Sequence, residues 1–162
     1  MISDPTRDHA SVEIDVFFSH APSEVWRALS EPLLMERWLM PSTGFAASAG
    51  TRFAFEVPPQ PQTAARRQAT PCNQIACEVL TAQPHEQLTM SWIDLRAEQP
   101  TRWVLDWIIR PEGHGTRLLL THSGFDLADR RQKMARNGME RMWRGRLTRL
   151  RDLLDIGHLF EA

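Results

Sequence analysis

His122 is the side chain best placed to do chemistry. It extends the two-residue alternation of Leu118 and Leu120, so its ring should point inward at the end of an apolar strand face. A titratable imidazole there can orient a ligand or move a proton. The alternative is a structural histidine whose nitrogens bond Ser123, a backbone carbonyl or a neighbouring helix. Trp92, Trp107 and Trp143 share this inward parity, and they either stack on a flat ligand or fill a core.

The other reactive groups are not arranged for catalysis. His9, His20, His85, His114, His122 and His158 are scattered without a His-x-x-x-His spacing, and Cys72 and Cys77 form no Cys-x-x-Cys pair. There is no Gly-x-Ser-x-Gly elbow, phosphate-cradling glycine loop or dinucleotide fingerprint. Ser123-Gly124 lacks the strand-to-helix setting of a nucleophile. Glu24, Glu31 and Glu36 fall on short exposed helices, so no carboxylate pair is set up for acid–base work. No catalytic residue, metal ligand or cofactor is expected.

Charge is unevenly spread. Residues 130–151 carry nine basic side chains (Arg130, Arg131, Lys133, Arg136, Arg141, Arg144, Arg146, Arg149 and Arg151) against Glu140 alone, a local +8 in a chain of formal net charge −1. Such a segment either docks an acidic protein surface or is a solvated helix face supported by a Glu140–Arg144 pair. No aromatic side chains stand in register for base stacking, so nucleic acid is not the expected partner. Arg102 and Arg117 flank inward positions and are expected to pair with Asp106 or Glu78 on the outer face.

The elements that must position these groups follow from periodicity. Val12, Ile14, Val16 and Phe18 alternate as a strand. Pro22 and Glu24 open a short helix striped by Val25, Trp26 and Leu29, and Glu31-Pro32 begins a second with Leu33, Leu34 and Trp38. Five more strands carry Phe53, Phe55 and Val57; Ile75, Cys77 and Val79; Leu88, Met90 and Trp92; Trp103, Leu105, Trp107 and Ile109; and Leu118, Leu120 and His122. From about Lys133 the period changes to three and four through Met139, Trp143, Leu147, Leu150 and Leu154, predicting an amphipathic helix of roughly twenty residues. The layout is α+β, with hairpin-linked antiparallel strands and one sheet face covered by the last helix.

Composition sets the bounds. At 162 residues, 42% hydrophobic and 24% charged, the chain is one globular domain over 11–158, with a flexible start over 1–10 and a proline-rich exposed loop over 58–72. No apolar run is long enough to span a bilayer, and the first residues lack the apolar core of a secretion signal. Two cysteines fit a reducing cytoplasm. Only Lys133 among the 19 basic residues is lysine, a bias that points to a GC-rich bacterial gene.

Four blocks resemble the START-like (SRPBCC) superfamily, and within it the group named after activators of a heat-shock chaperone ATPase. They are Ala21-Pro22-x-x-Val25-Trp26-x-x-Leu29 with Trp38, Pro84-x-x-x-Leu88-x-Met90-x-Trp92, the run from Gly115 through His122 to Phe125, and Trp143-x-x-x-Leu147-x-x-Leu150. Together they span about residues 11–155. The chain departs from the pattern at Met142 and Cys77, where relatives have glycine, and in the long stretch 58–72. The resemblance implies a helix-grip fold, a curved antiparallel sheet wrapped around a long C-terminal helix, with two short helices after the first strand. It also implies a hydrophobic cavity between sheet and helix. The residues expected to line it are Phe53, Phe55, Met90, Trp92, Leu105, Trp107, Leu120, His122, Met139 and Trp143, with Met142 narrowing it. The leading expectation is a module that binds a small hydrophobic or amphipathic molecule. The alternatives are a chaperone-ATPase regulator acting through Arg141, Arg144 and Arg151, and a polyketide cyclase-like enzyme.

Overall fold

Side chains alternate across each strand, so every apolar series above commits one sheet face to burial. The computed structural model describes residues 10–57, 74–97 and 101–161, with side chains through 157. The proline-rich stretch 58–72 and nearly all of the N-terminal segment 1–10 lie outside the described residues. The elements are β1 (Ser11–Phe18), α1 (Pro22–Ser30), α2 (Pro32–Trp38), β2 (Ser42–Thr43), β3 (Arg52–Glu56), β4 (Gln74–Gln83), β5 (Gln87–Asp94), β6 (Trp103–Glu112), β7 (Gly115–Ser123) and α3 (Arg130–Glu161). The strands form one antiparallel sheet in the order β1-β7-β6-β5-β4-β3-β2. It curves around α3, which is the helix-grip arrangement.

Register aligns the inward residues in rows. Leu105 of β6 lies opposite Met90 on one side and His122 on the other, and Trp107 lies between Leu88 and Leu120. Cross-strand neighbours on one face pack directly, so these rows form a continuous apolar surface. Trp143, Leu147, Leu150 and Leu154 of α3 meet it as a buried stripe at steps of four and three residues. Two side chains anchor α3 to β1 at opposite ends: Arg136 donates to the Ser11 carbonyl (3.1 Å) and Arg151 to the Phe17 carbonyl (2.9 Å). His20, buried just after β1, bonds Asp155 of α3 at 2.7 Å. Gly115 has no room for a side chain, since a Cβ there would overlap the Phe18 carbonyl and the Phe17 ring.

Several local expectations are corrected. The final helix starts at Arg130, three residues before Lys133, and runs 32 residues, capped by the Asp129 carboxylate, which accepts from the Arg131 N–H (2.9 Å). A sixth further strand, β2, is only two residues long, too short to show a period. Leu33 is 79% exposed, and Met35 takes the core position beside Trp38. Glu140 pairs with Arg136 (3.1 Å), one turn before it, rather than with Arg144. Arg117 bridges Asp15 and Glu112, both at 2.7 Å, while Glu78 takes Arg52 and Asp106 accepts from Thr89 and Gln87.

Candidate functional site

The ten expected lining residues do converge between sheet and helix, where all but Met139 are buried. The rings fill most of that space themselves. Trp143 stands edge-on to Trp107 and Trp92, at centroid distances of 5.3 and 5.7 Å. Trp92 continues to His122 at 5.0 Å and to Phe55 at 5.5 Å, and Trp38 closes on Trp107 at 5.8 Å. Tilted and edge-to-face pairs at these spacings are attractive beyond their area of burial. Phe53, Phe55, Met90, Leu105, Trp107, Leu120, His122 and Trp143 are thus packed core side chains.

His122 belongs to this packing. The Trp143 Nε1–H donates to His122 Nδ1 at 3.0 Å, which requires Nδ1 to be unprotonated and places the ring proton on Nε2. His122 Nε2 and Trp92 Nε1 are both buried without a hydrogen-bond partner. Both lie among the rings of the aromatic cluster. Burial pushes the imidazole down to about 3, so it is neutral at physiological pH. A neutral ring fully enclosed in the core, with its basicity lowered by burial, is poorly placed to exchange a proton with a substrate. Burial also pushes the Cys77 thiol up, away from the reactive thiolate. Cys72 lies outside the described residues. Among the described residues, no three metal-ligating side chains gather.

Space remains at the open end. A pocket of about 460 Å³ lies between the C-terminal end of α2, the start of β4, the end of β5 and one face of α3. Leu39, Met40, Val57, Ile75, Trp92, Met139 and Met142 give it an apolar wall, and Glu36, Arg96, Arg146 and Arg149 bring charge. Trp92 and Met139 are the two expected lining residues that reach it, and Met142 is part of its wall. Leu39 and Met40 fell in the connection after a short helix, and no sequence period marked them. Arg146 and Arg149 were legible only as part of the basic run. A more open depression of about 590 Å³ lies by the β4–β5 turn, lined by polar and charged side chains such as Gln83, His85, Glu86 and Arg110 with Ile108 and Ile109.

The expected partner-binding arginines separate into two kinds. Arg141 and Arg144 are exposed on the outer face of α3. Arg151 is turned back on β1, with its guanidinium on the Phe17 carbonyl and 5.3 Å from the Phe18 ring centroid. Among the described residues, no helix is long and apolar enough to cross a membrane.

The sheet, the enclosed helix and a pocket at their open end define a helix-grip domain of the START-like type. Residues 19–154 match the family described as Activator of Hsp90 ATPase homolog 1-like protein, and the chain belongs to that family. A Mesorhizobium loti protein, MLL2253, is similar over 90% of this chain and 96% of its own, with 30% identity and a TM-score of 0.73. CalU16 from Micromonospora echinospora shares the fold at 21% identity over 92% of this chain and 78% of its own, with a TM-score of 0.68. So does the Aha1 dimer from Colwellia psychrerythraea, at 15% identity over 91% and 97%, with a TM-score of 0.68. No curated protein matches the chain.

Proposed function

We propose that this protein is a non-enzymatic binding module for a small hydrophobic or amphipathic molecule. The observation that carries this reading is the pocket of about 460 Å³ between α2, the sheet and α3, with its wall of Trp92, Ile75, Met139 and Met142. Its size is that of a small-molecule site, and its mixed lining, an apolar wall beside charged side chains that expose at least as much surface, suits an amphipathic occupant. Native mass spectrometry of the purified protein, followed by mild denaturation, is expected to release a stoichiometric apolar adduct. Met142→Trp should fill the pocket from its half-buried position and weaken uptake of that adduct by about tenfold or more, the size expected for loss of an apolar contact surface. Unchanged uptake in that variant would place binding elsewhere. The composition supports a cytoplasmic location.

A second reading, regulation of a chaperone ATPase, draws on the family and on exposed Arg141 and Arg144. Reversing both charges should then lower stimulation of a purified chaperone ATPase, and an unaltered rate would count against it. Cyclase-like catalysis draws no support from His122, which is buried and neutral.

A further inference from the structure

The pocket's charges are not balanced. Its lining includes three arginines and one acid, Glu36. Arg96 is already neutralised, donating to Asp94 from Nε at 2.9 Å and from Nη2 at 2.8 Å. Arg146 and Arg149 have no carboxylate within ion-pair distance among the described residues, and Glu36 pairs with neither. Several other arginines are matched, as in Arg27–Glu31, Arg52–Glu78 and Arg136–Glu140. What sets Arg146 and Arg149 apart from the exposed Arg141 and Arg144 is their place on the pocket lining. Arg146 and Arg149 stand three residues apart on α3, which places them side by side on one helix face. That face is the one carrying Met139 and Met142 into the pocket.

A bare pair of adjacent cations at the edge of an apolar wall is unfavourable by itself. Partial burial and the repulsion of Arg149 both pull Arg146 below the ordinary arginine value. An anion placed between them removes the repulsion and accepts charge-assisted hydrogen bonds, for which the planar guanidinium is well suited. The apolar wall meanwhile demands a body that leaves water.

We infer that the ligand is an anionic amphiphile, a carboxylate-bearing molecule whose apolar body lies against Trp92, Met139 and Met142 while Arg146 and Arg149 hold its acid group. This inference rests on the pocket being the binding site and adds the chemical class of what enters it. It also gives a role to the two arginines of the basic helix that line this opening, Arg146 half-buried and Arg149 at the exposed rim.

The test compares head groups on one body. Calorimetric titration with dodecanoate and dodecanol, and with 2-naphthoate and 2-naphthol, separates the charge from the body and an acyl body from an aromatic one. The acid of at least one pair is expected to bind about tenfold or more tightly than its alcohol, with the preference shrinking as salt is raised. In Arg146→Gln/Arg149→Gln the acid should weaken to the level of the alcohol while the alcohol is unaffected. Thermal melting of the same variant should match wild type or rise slightly, because no native ion pair is lost. Acids and alcohols binding equally well, or a preference surviving the double substitution, overturns the anionic head group and leaves the apolar pocket standing. Binding of neither member of either pair overturns both.

Discussion

Trp143→Ala is expected to destabilise the protein by about 3–5 kcal/mol, the range for removing a large aromatic from a packed core. Trp143 is fully buried and, among the described residues of α3, is the one side chain in ring contact with Trp92, Trp107 and His122 together. Its removal takes away apolar area, opens a cavity between sheet and helix, and strips His122 Nδ1 of its donor. Three costs therefore fall on one substitution. The neighbouring rings are held by the sheet register on the other side, so the site collapses poorly, and the upper part of the range is favoured. Trp143→Phe separates the contributions, since it keeps most of the ring and loses only the N–H. It should cost less than the alanine variant, yet more than volume alone accounts for, because a buried acceptor is left without a partner. Equilibrium unfolding in urea measures both. A loss below about 1 kcal/mol for the alanine variant would mean that the rings are loosely packed and the cavity already exists.

That the tryptophans fill rather than line the space marks the limit of what the residues alone could say. Parity identified Leu88, Met90, Trp92, Leu105, Trp107, Leu118, Leu120 and His122 as one inward face, and all are buried. Parity says which way a side chain points, and does not say whether its partner across the gap is another ring or a void. That depends on how deeply α3 sits, which the contacts of Arg136, Asp155 and Arg151 with β1 and its following loop help to set. The pocket wall was hidden for a related reason. Leu39 and Met40 follow a seven-residue helix, so no repeat marks them as inward, whereas Val57, just past β3, is marked by the alternation of Phe53 and Phe55. Arg146 and Arg149 sit in a run of arginines whose members look alike in sequence. The helix turns by about 100° per residue, so adjacent members of that run have different fates. Arg141 and Arg144 meet solvent, Arg136 a carboxylate, and Arg146 and Arg149 the pocket. The four sequence blocks predicted the fold because three of them are sheet or helix segments whose burial is periodic over many residues.

His122 makes stability depend on pH in a defined direction. Its folded value lies at about 3 by burial, against an ordinary value of 6.5 for the unfolded chain. Between those two values the unfolded state holds a proton that the folded state does not, so acidification favours unfolding. The contribution is fully present above pH 6.5 and is lost as pH falls, by about 1.4 kcal/mol for each unit down to the folded value. Protonation inside the folded protein is opposed twice over. It charges a ring surrounded by Trp92, Trp103 and Phe125, and it sets a new N–H on Nδ1 against the donor of Trp143. His122→Gln removes the titration while keeping an amide oxygen that can accept from Trp143. Wild type and variant are compared by urea unfolding at pH 7.5 and pH 4.5, where every other ionisable group contributes equally to both. Wild type is expected to lose about 2–3 kcal/mol more than the variant over that interval, most of it below pH 6.5. Parallel losses would mean that the ring takes up its proton while folded. The unpartnered Nε2–H would then have to meet a buried water or another acceptor, and the aromatic cluster would be less closed than its ring contacts imply.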